Sequence, residues 1–310
     1  MFGLPKYNYE NFTKALLIKP PSLERIGGAQ AGEWAPEFTA RTLDGREVTL
    51  SDYRGRSNVV LTFGSATCPF TAASIGGMRR LSEDYRGREV EFLFVYVREA
   101  HPGERLPAHK SMDDKRYAAE VLQREENLAT PILLDGLGGG IHRKYGKLPN
   151  ATYLIDKSGR VAFRCLWTRP RVVKDALEEL LRRQEERDVE HAIVGGGEHR
   201  AMPGTYALLH AHRALERGGH QAVYDFRREM GVPGRMAVTA GRAWRPVAQH
   251  PGKSAAALGA MAAVLAGGIL LGRHLRQRRA LTPPLHDPDR AEIPRHRHRG
   301  DHPGDAAVGT

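Results

Sequence analysis

The stretch FGSATCPF, residues 63–70, runs an apolar segment into a cysteine that is followed at once by proline. Proline is favoured at the first position of a helix, so Pro69 predicts that Cys68 caps a helix N-terminus. The unpaired N–H groups of a first helical turn, and the positive end of its dipole, favour a thiolate over a thiol. The thiolate is the nucleophilic form, so the position predicts attack on a soft electrophile at neutral pH. Ser65 and Thr67 set two hydroxyls within a turn of the sulfur, able to donate to it or to an anion developing on a substrate. The end of a central strand is also where ligands collect in open α/β sheets.

The rest of the composition narrows this chemistry. The 310 residues hold two cysteines, Cys68 and Cys165, with no CxxC pair and no zinc-ligand spacing. The first residues, MFGLPKYNYENF, lack a basic segment followed by an apolar run, which predicts no secretory leader and a reducing cytoplasm. The net charge is +11, mostly from scattered arginine. No stretch interleaves basic residues with stacking aromatics, so a nucleic-acid partner is disfavoured. An acidic surface such as lipid headgroups accounts for the excess at least as well.

The elements that must position Cys68 are legible from residue 35 to 188. Residues 38–53 predict two short strands around an Asp44-Gly45 turn. Residues 58–63, NVVLTF, and 90–97, VEFLFVYV, are apolar runs suited to buried strands, and 130–134 is a third. Between them, 69–85 and 111–128 have helical spacing, the latter capped by Ser111 with Asp113 and Asp114 in its first turn. Residues 151–165 read as a hairpin turning at Ser158-Gly159, and 172–188 as a closing amphipathic helix. The alternation predicts an α/β sheet, mostly parallel, covered on both sides and ended by the antiparallel hairpin.

Around this domain lie an N-terminal extension, 1–34, and a linker with helical segments, 189–253, to which no chemistry is assigned. Residues 254–272 contain no charge. As a helix they would span about 28 Å, close to the hydrocarbon core of a bilayer, which predicts a transmembrane anchor beside a cytoplasmic catalytic domain. Gly268 and Gly272 form a GxxxG pair compatible with a homodimer. The tail, 273–310, is rich in proline, charge and histidine and is expected to be solvated and disordered.

The segments GEWAPEFTARTLDGREVTLSDYRG and KYGKLPNATYLIDKSGRVAF, with the strand and Cys-Pro between them, resemble the thioredoxin-fold redoxins, the group containing the peroxiredoxins. That resemblance implies a thioredoxin-like fold, a central mixed sheet flanked by helices, and makes Pro149 the counterpart of a cis-proline facing the cysteine. Within this frame FGSATCPF, FLFVYVREAHPGE and HKSMDDKRYAAEVL resemble the iodothyronine deiodinase family. Cys68 stands where animal members carry selenocysteine, Ser65 matches a serine three residues before it, and Tyr96, Glu99, Ala100 and His101 match a Tyr-x-x-Glu-Ala-His pattern. His109 matches a later histidine. The resemblance, over about residues 35–165, implies reductive removal of a halogen. A soft nucleophile takes the halogen, and a relay of His101, His109, Glu99 and Tyr96 protonates the carbon, with both histidines titrating near neutrality. The loop between His101 and His109 is shorter than in animal members, and the family's Arg-Gly-Pro stretch finds only Arg169 here. Sulfur in place of selenium implies a slower reaction.

Two other readings compete. A peroxiredoxin-like peroxidase would use the same cysteine, but the proline expected seven residues before it is Leu61. A membrane-tethered scaffold would keep the fold without catalysis. Thioredoxin-type exchange is disfavoured because Thr71 occupies the second CxxC position. On the enzymatic readings the substrate is a small molecule, no cofactor is bound, and turnover needs an external thiol of thioredoxin or glutathione type, or Cys165 as a resolving thiol.

Overall fold

The computed structural model describes residues 7–13, 16, 27–194 and 204–249. Its centre is β3 (Asn58–Gly64), the NVVLTFG run, every residue of which is buried. β4 (Val90–Tyr96) lies parallel to it in a register that sets Asn58 opposite Val90 and Gly64 opposite Tyr96. The two strands therefore end at one level, and the loops carrying residues 65–68 and 97–101 leave the sheet side by side. The amide of Val97 donates to the carbonyl of Gly64 at 3.0 Å and holds them together.

β5 (Ile132–Leu134) extends the parallel part beyond β4. The flanks are antiparallel. β1 (Thr39–Thr42) and β2 (Glu47–Thr49) form the expected hairpin, turning where Gly45 takes a φ of 86°, and β1 pairs with β5. On the other side β6 (Ala151–Ile155) pairs with β3 and with β7 (Val161–Cys165). The order is β2-β1-β5-β4-β3-β6-β7. This corrects the expectation of a mostly parallel sheet: only the β3–β4 and β4–β5 pairings are parallel, because only those strands are joined by helical crossovers. The whole is the thioredoxin-like α/β fold, with its mixed sheet.

Both crossovers carry their helix to one face. There α1 (Pro69–Asp84) and α4 (Pro170–Arg187) bury Met78, Leu81, Val173 and Leu177 against Val60, Phe92 and Phe163. α2 (Met112–Glu126) buries Ala118, Ala119 and Leu122 against Phe94, Tyr96 and Ile132. Phe92, Phe94 and Tyr96 alternate with Leu93 and Val95, which face the opposite core of Phe38, Leu61, Phe63, Tyr145 and Tyr153. That face is covered by residues 29–38, a 3-10 turn at Leu50–Tyr53, and α3 (Gly140–Lys144). The last two are elements the periodicity missed, being too short to show a period.

Residues expected to be helical but without a role form α5 (Gly204–Gly218) and α6 (His220–Gln249), the latter broken at Gly231, where φ is 60° and ψ −137°. Ala211, Leu215, Phe226 and Val238 pack together with Phe12 from the N-terminal stretch. No helix among the described residues is long and apolar enough to cross a membrane. The segment 254–272, its GxxxG pair and the tail lie outside the described residues.

Candidate active site

Cys68 is the N-cap of α1, with extended φ and ψ of −86° and 119°, and Pro69 is the first helical residue. Gly64 makes this elbow possible. A Cβ there would come 2.5 Å from Phe94 Cζ and 2.7 Å from Thr71 Oγ1, so any larger residue would push the first turn of α1 off β4. The amides of Phe70 and Thr71 and the hydroxyl of Thr71 favour the charged form of the sulfur, although Cys68 makes no side-chain capping hydrogen bond to the helix. These donors were foreseen as a class, though Thr71 itself was not.

They do not prevail. Cys68 is 1 % exposed. Burial pushes its thiol up, and the nearby charge of Glu99 adds to the effect, so the sulfur is a thiol at neutral pH. This corrects the expected thiolate: helix N-terminal donors lower a thiol pKa only while water or a cation also supports the charge.

Beneath the cysteine sits a closed network around Glu99. Its Oε2 accepts the amide of Thr67 at 3.0 Å and the hydroxyl of Thr67 at 2.6 Å. Its Oε1 accepts the hydroxyl of Tyr96, and His109 Nε2 lies 3.3 Å from the same oxygen. The imidazole N–H points aside from that oxygen, so this is a close contact rather than an aligned hydrogen bond. Burial alone would raise the Glu99 carboxyl. His109, followed by the Thr67 and Tyr96 donors, outweighs burial and holds it below the ordinary value. Tyr96 is pushed well up by burial and by the charge of Glu99, so it stays protonated and donates. Its oxygen also accepts the amide of Ala66 at 3.1 Å. Thr67 is thus a tie between two loops: besides Glu99, its hydroxyl accepts the amide of His101 at 3.0 Å.

His101 departs from expectation. Its ring lies between Phe12, at a centroid distance of 4.2 Å, and Phe226, at 5.4 Å. Burial lowers its pKa to about 3, so it is neutral and does not titrate near pH 7. Of the expected relay, the structure joins Tyr96, Glu99 and His109 directly and His101 only through its backbone. Ser65 is fully buried; its carbonyl accepts the Cys68 amide at 3.3 Å while its hydroxyl has no partner.

Pro149 is not cis, since no peptide bond among the described residues is, which corrects that expectation. The next residue explains how the trans loop is held. Asn150 donates to the carbonyl of Phe63 at 3.3 Å and accepts the amide of Thr168 at 2.9 Å. Cys165 is buried in the α1–α4 core, its thiol donating to the carbonyl of Trp167 at 3.0 Å, and no disulfide joins it to Cys68.

Three contributors were not legible in the sequence. Tyr9 donates to the carbonyl of Ala100 at 2.8 Å, and burial pushes its pKa up, against the opposing charge of Arg98 and with a smaller push from Glu99. Phe226 of α6 roofs His101. Arg217 of α5 is buried, reaches the carbonyl of Ala66 at 3.3 Å and is matched by Glu125, at 2.6 Å, and Glu126 of α2. The one signal was the aromatic density of YNYENF, which no local rule connects to a site 90 residues away.

A thioredoxin-like sheet with one cysteine capping the helix after its central strand defines a thiol-dependent class of redoxin. The sequence model described as iodothyronine deiodinase matches residues 14–170, half of the chain, and the chain belongs to that family. It is 32% identical over 146 residues to thyroxine 5-deiodinase of Sus scrofa, covering 44% of this chain and 47% of that one. It is 28% identical over 177 residues to type I iodothyronine deiodinase of Xenopus laevis, covering 52% and 69%. The chain thus spans about half the length of the first of these curated relatives. Among solved structures it is similar to a putative protein disulfide isomerase from Bacteroides thetaiotaomicron (20% identity, TM-score 0.41, 53% of this chain and 96% of that one). The matched span ends before α5 and α6.

Proposed function

We propose that the chain is a thiol-dependent reductive dehalogenase acting on a small aromatic halide. The observation that carries this is the buried Tyr96–Glu99–His109 network set against the loop of Cys68, on the residues that match the family. In the first half-reaction the sulfur takes the halogen and the C–X bond breaks, leaving its electron pair on carbon. The proton lost by the Cys68 thiol reaches that carbon through His109 and Glu99. The balance is R–X + Cys–SH → R–H + Cys–S–X, so a protonated thiol carries the proton the reaction consumes. An external thiol then displaces halide to give a mixed disulfide, and a second thiol releases Cys68: in total, R–X + 2 R′SH → R–H + R′SSR′ + HX.

The peroxidase alternative would use the same sulfur and is separated from this reading by whether the chain consumes peroxide. Membrane attachment through 254–272 rests on its charge-free composition, and extraction of the expressed chain by detergent but not by alkaline carbonate tests it. The functional test is release of iodide from diiodophenol and thyroxine by the full chain with dithiothreitol. Release is expected, abolished in Cys68→Ser and kept in Cys165→Ser. No release from any iodinated phenol, with peroxide consumed instead, overturns the reading.

A further inference from the structure

A groove of about 870 Å³ lies between α1, the start of α4 and the middle of α5. The mechanism above uses none of its residues. Its floor is the small-residue face of α1. Gly77 lets α4 sit close, since a Cβ there would come 2.6 Å from Pro170 Cγ, whereas a Cβ on Gly76 would meet nothing nearer than Arg80 Nη1 at 4.0 Å and would project into open space.

The walls are strongly basic, and the charges can be accounted for one by one. Arg213 is matched by Glu126 at 2.5 Å, and Lys174 by Glu178. Burial lowers the pKa of His210 to about 4, so it is neutral. That leaves Arg80, Arg169 and Arg171, whose guanidinium groups have no carboxylate or hydrogen-bond partner among the described residues, against one unpaired carboxylate, Asp84. Three guanidiniums lining one hollow supply the kind of donors that bind oxyanions bidentately. The volume is that of a site for a small organic molecule rather than a bare ion.

We infer that this groove binds a small organic oxyanion, a phosphate ester or a polycarboxylate, separately from the Cys68 site. The guanidiniums of Arg80 and Arg171 grip the anionic end, and the body of the molecule lies on the Gly76 floor.

Calorimetric titration of the full chain with ADP and, separately, with citrate at low salt tests this. Saturable one-to-one binding of either is expected, ADP alone identifying the phosphate class and citrate alone the carboxylate class. Arg80→Gln and Arg171→Gln should each weaken it about tenfold, the size expected for one charge-assisted contact. Gly76→Leu, which replaces a helix-interior glycine with a better helix former, should block it while the thermal midpoint stays as high or rises. Cys68→Ser should bind as the parent does. No saturable heat with either probe, or binding that survives both arginine changes and Gly76→Leu, overturns the inference.

Discussion

Thr67→Val keeps a β-branched side chain of nearly the same volume and removes one hydroxyl that makes two buried bonds. The first, to Glu99 Oε2 at 2.6 Å, is donated to a carboxylate, a class that contributes about 1.5–3 kcal/mol. The second leaves the buried amide of His101 without its acceptor at 3.0 Å, which costs about 1–3 kcal/mol. The sum is a loss of about 2.5–6 kcal/mol, large against the few tenths expected for Thr39→Val at an exposed threonine pair. Urea unfolding at pH 7 measures it. The pH dependence gives a second reading. Glu99 is held below its ordinary value in the fold, so the unfolded chain binds its proton first as pH falls. The contribution of the network is complete above about pH 4.5 and is lost as pH drops through the folded value. The gap between parent and variant should therefore narrow below about pH 4. A loss under about 1 kcal/mol at pH 7, or a gap that widens in acid, would refute the assignment of Thr67 as the tie between Glu99 and the His101 loop.

Three further outcomes follow from the same geometry. Alkylation of Cys68 by iodoacetamide should be slow at pH 6–7 and accelerate only above the ordinary thiol value of about 8.5; a plateau already reached at pH 7 would restore the thiolate. Phe226→Ala should open the roof, cost about 3–5 kcal/mol and let the His101 resonances titrate well above pH 3, toward 6.5, while Cys68 alkylation quickens. Because the folded His101 refuses a proton that the unfolded chain accepts, the parent also loses stability from pH 6.5 downward, and the variant should lose less. Ser111→Ala, which removes the acceptor of the Asp114 amide at 3.1 Å, should cost about 1 kcal/mol in thermal or urea unfolding without changing the Cys68 alkylation rate.

Local chemistry was enough for much of the frame. The unbroken apolar run of β3, the Pro69 start of α1, the Ser111 cap with its acidic first turn and the Asp44-Gly45 turn are each written within a few residues, and each appears where those residues put it. The family resemblance likewise named Tyr96, Glu99 and His109, which the parallel register of β3 and β4 then brings together at one sheet edge. The membership of Phe12, Arg217 and Phe226 in that neighbourhood was not legible, because nothing local marks a residue that meets its partner so far along the chain.

Protonation belongs to the same second category. The sequence alone determined that a sulfur would stand at the head of a helix with hydroxyls beside it, and the family resemblance added a carboxylate and two imidazoles. Only the tertiary structure decided that the sulfur keeps its proton, that His101 stays neutral and that Glu99 does not. The reason is that a helix cap and its donors are set by neighbours along the chain, whereas the cost of a charge is set by how much water the rest of the molecule leaves around it.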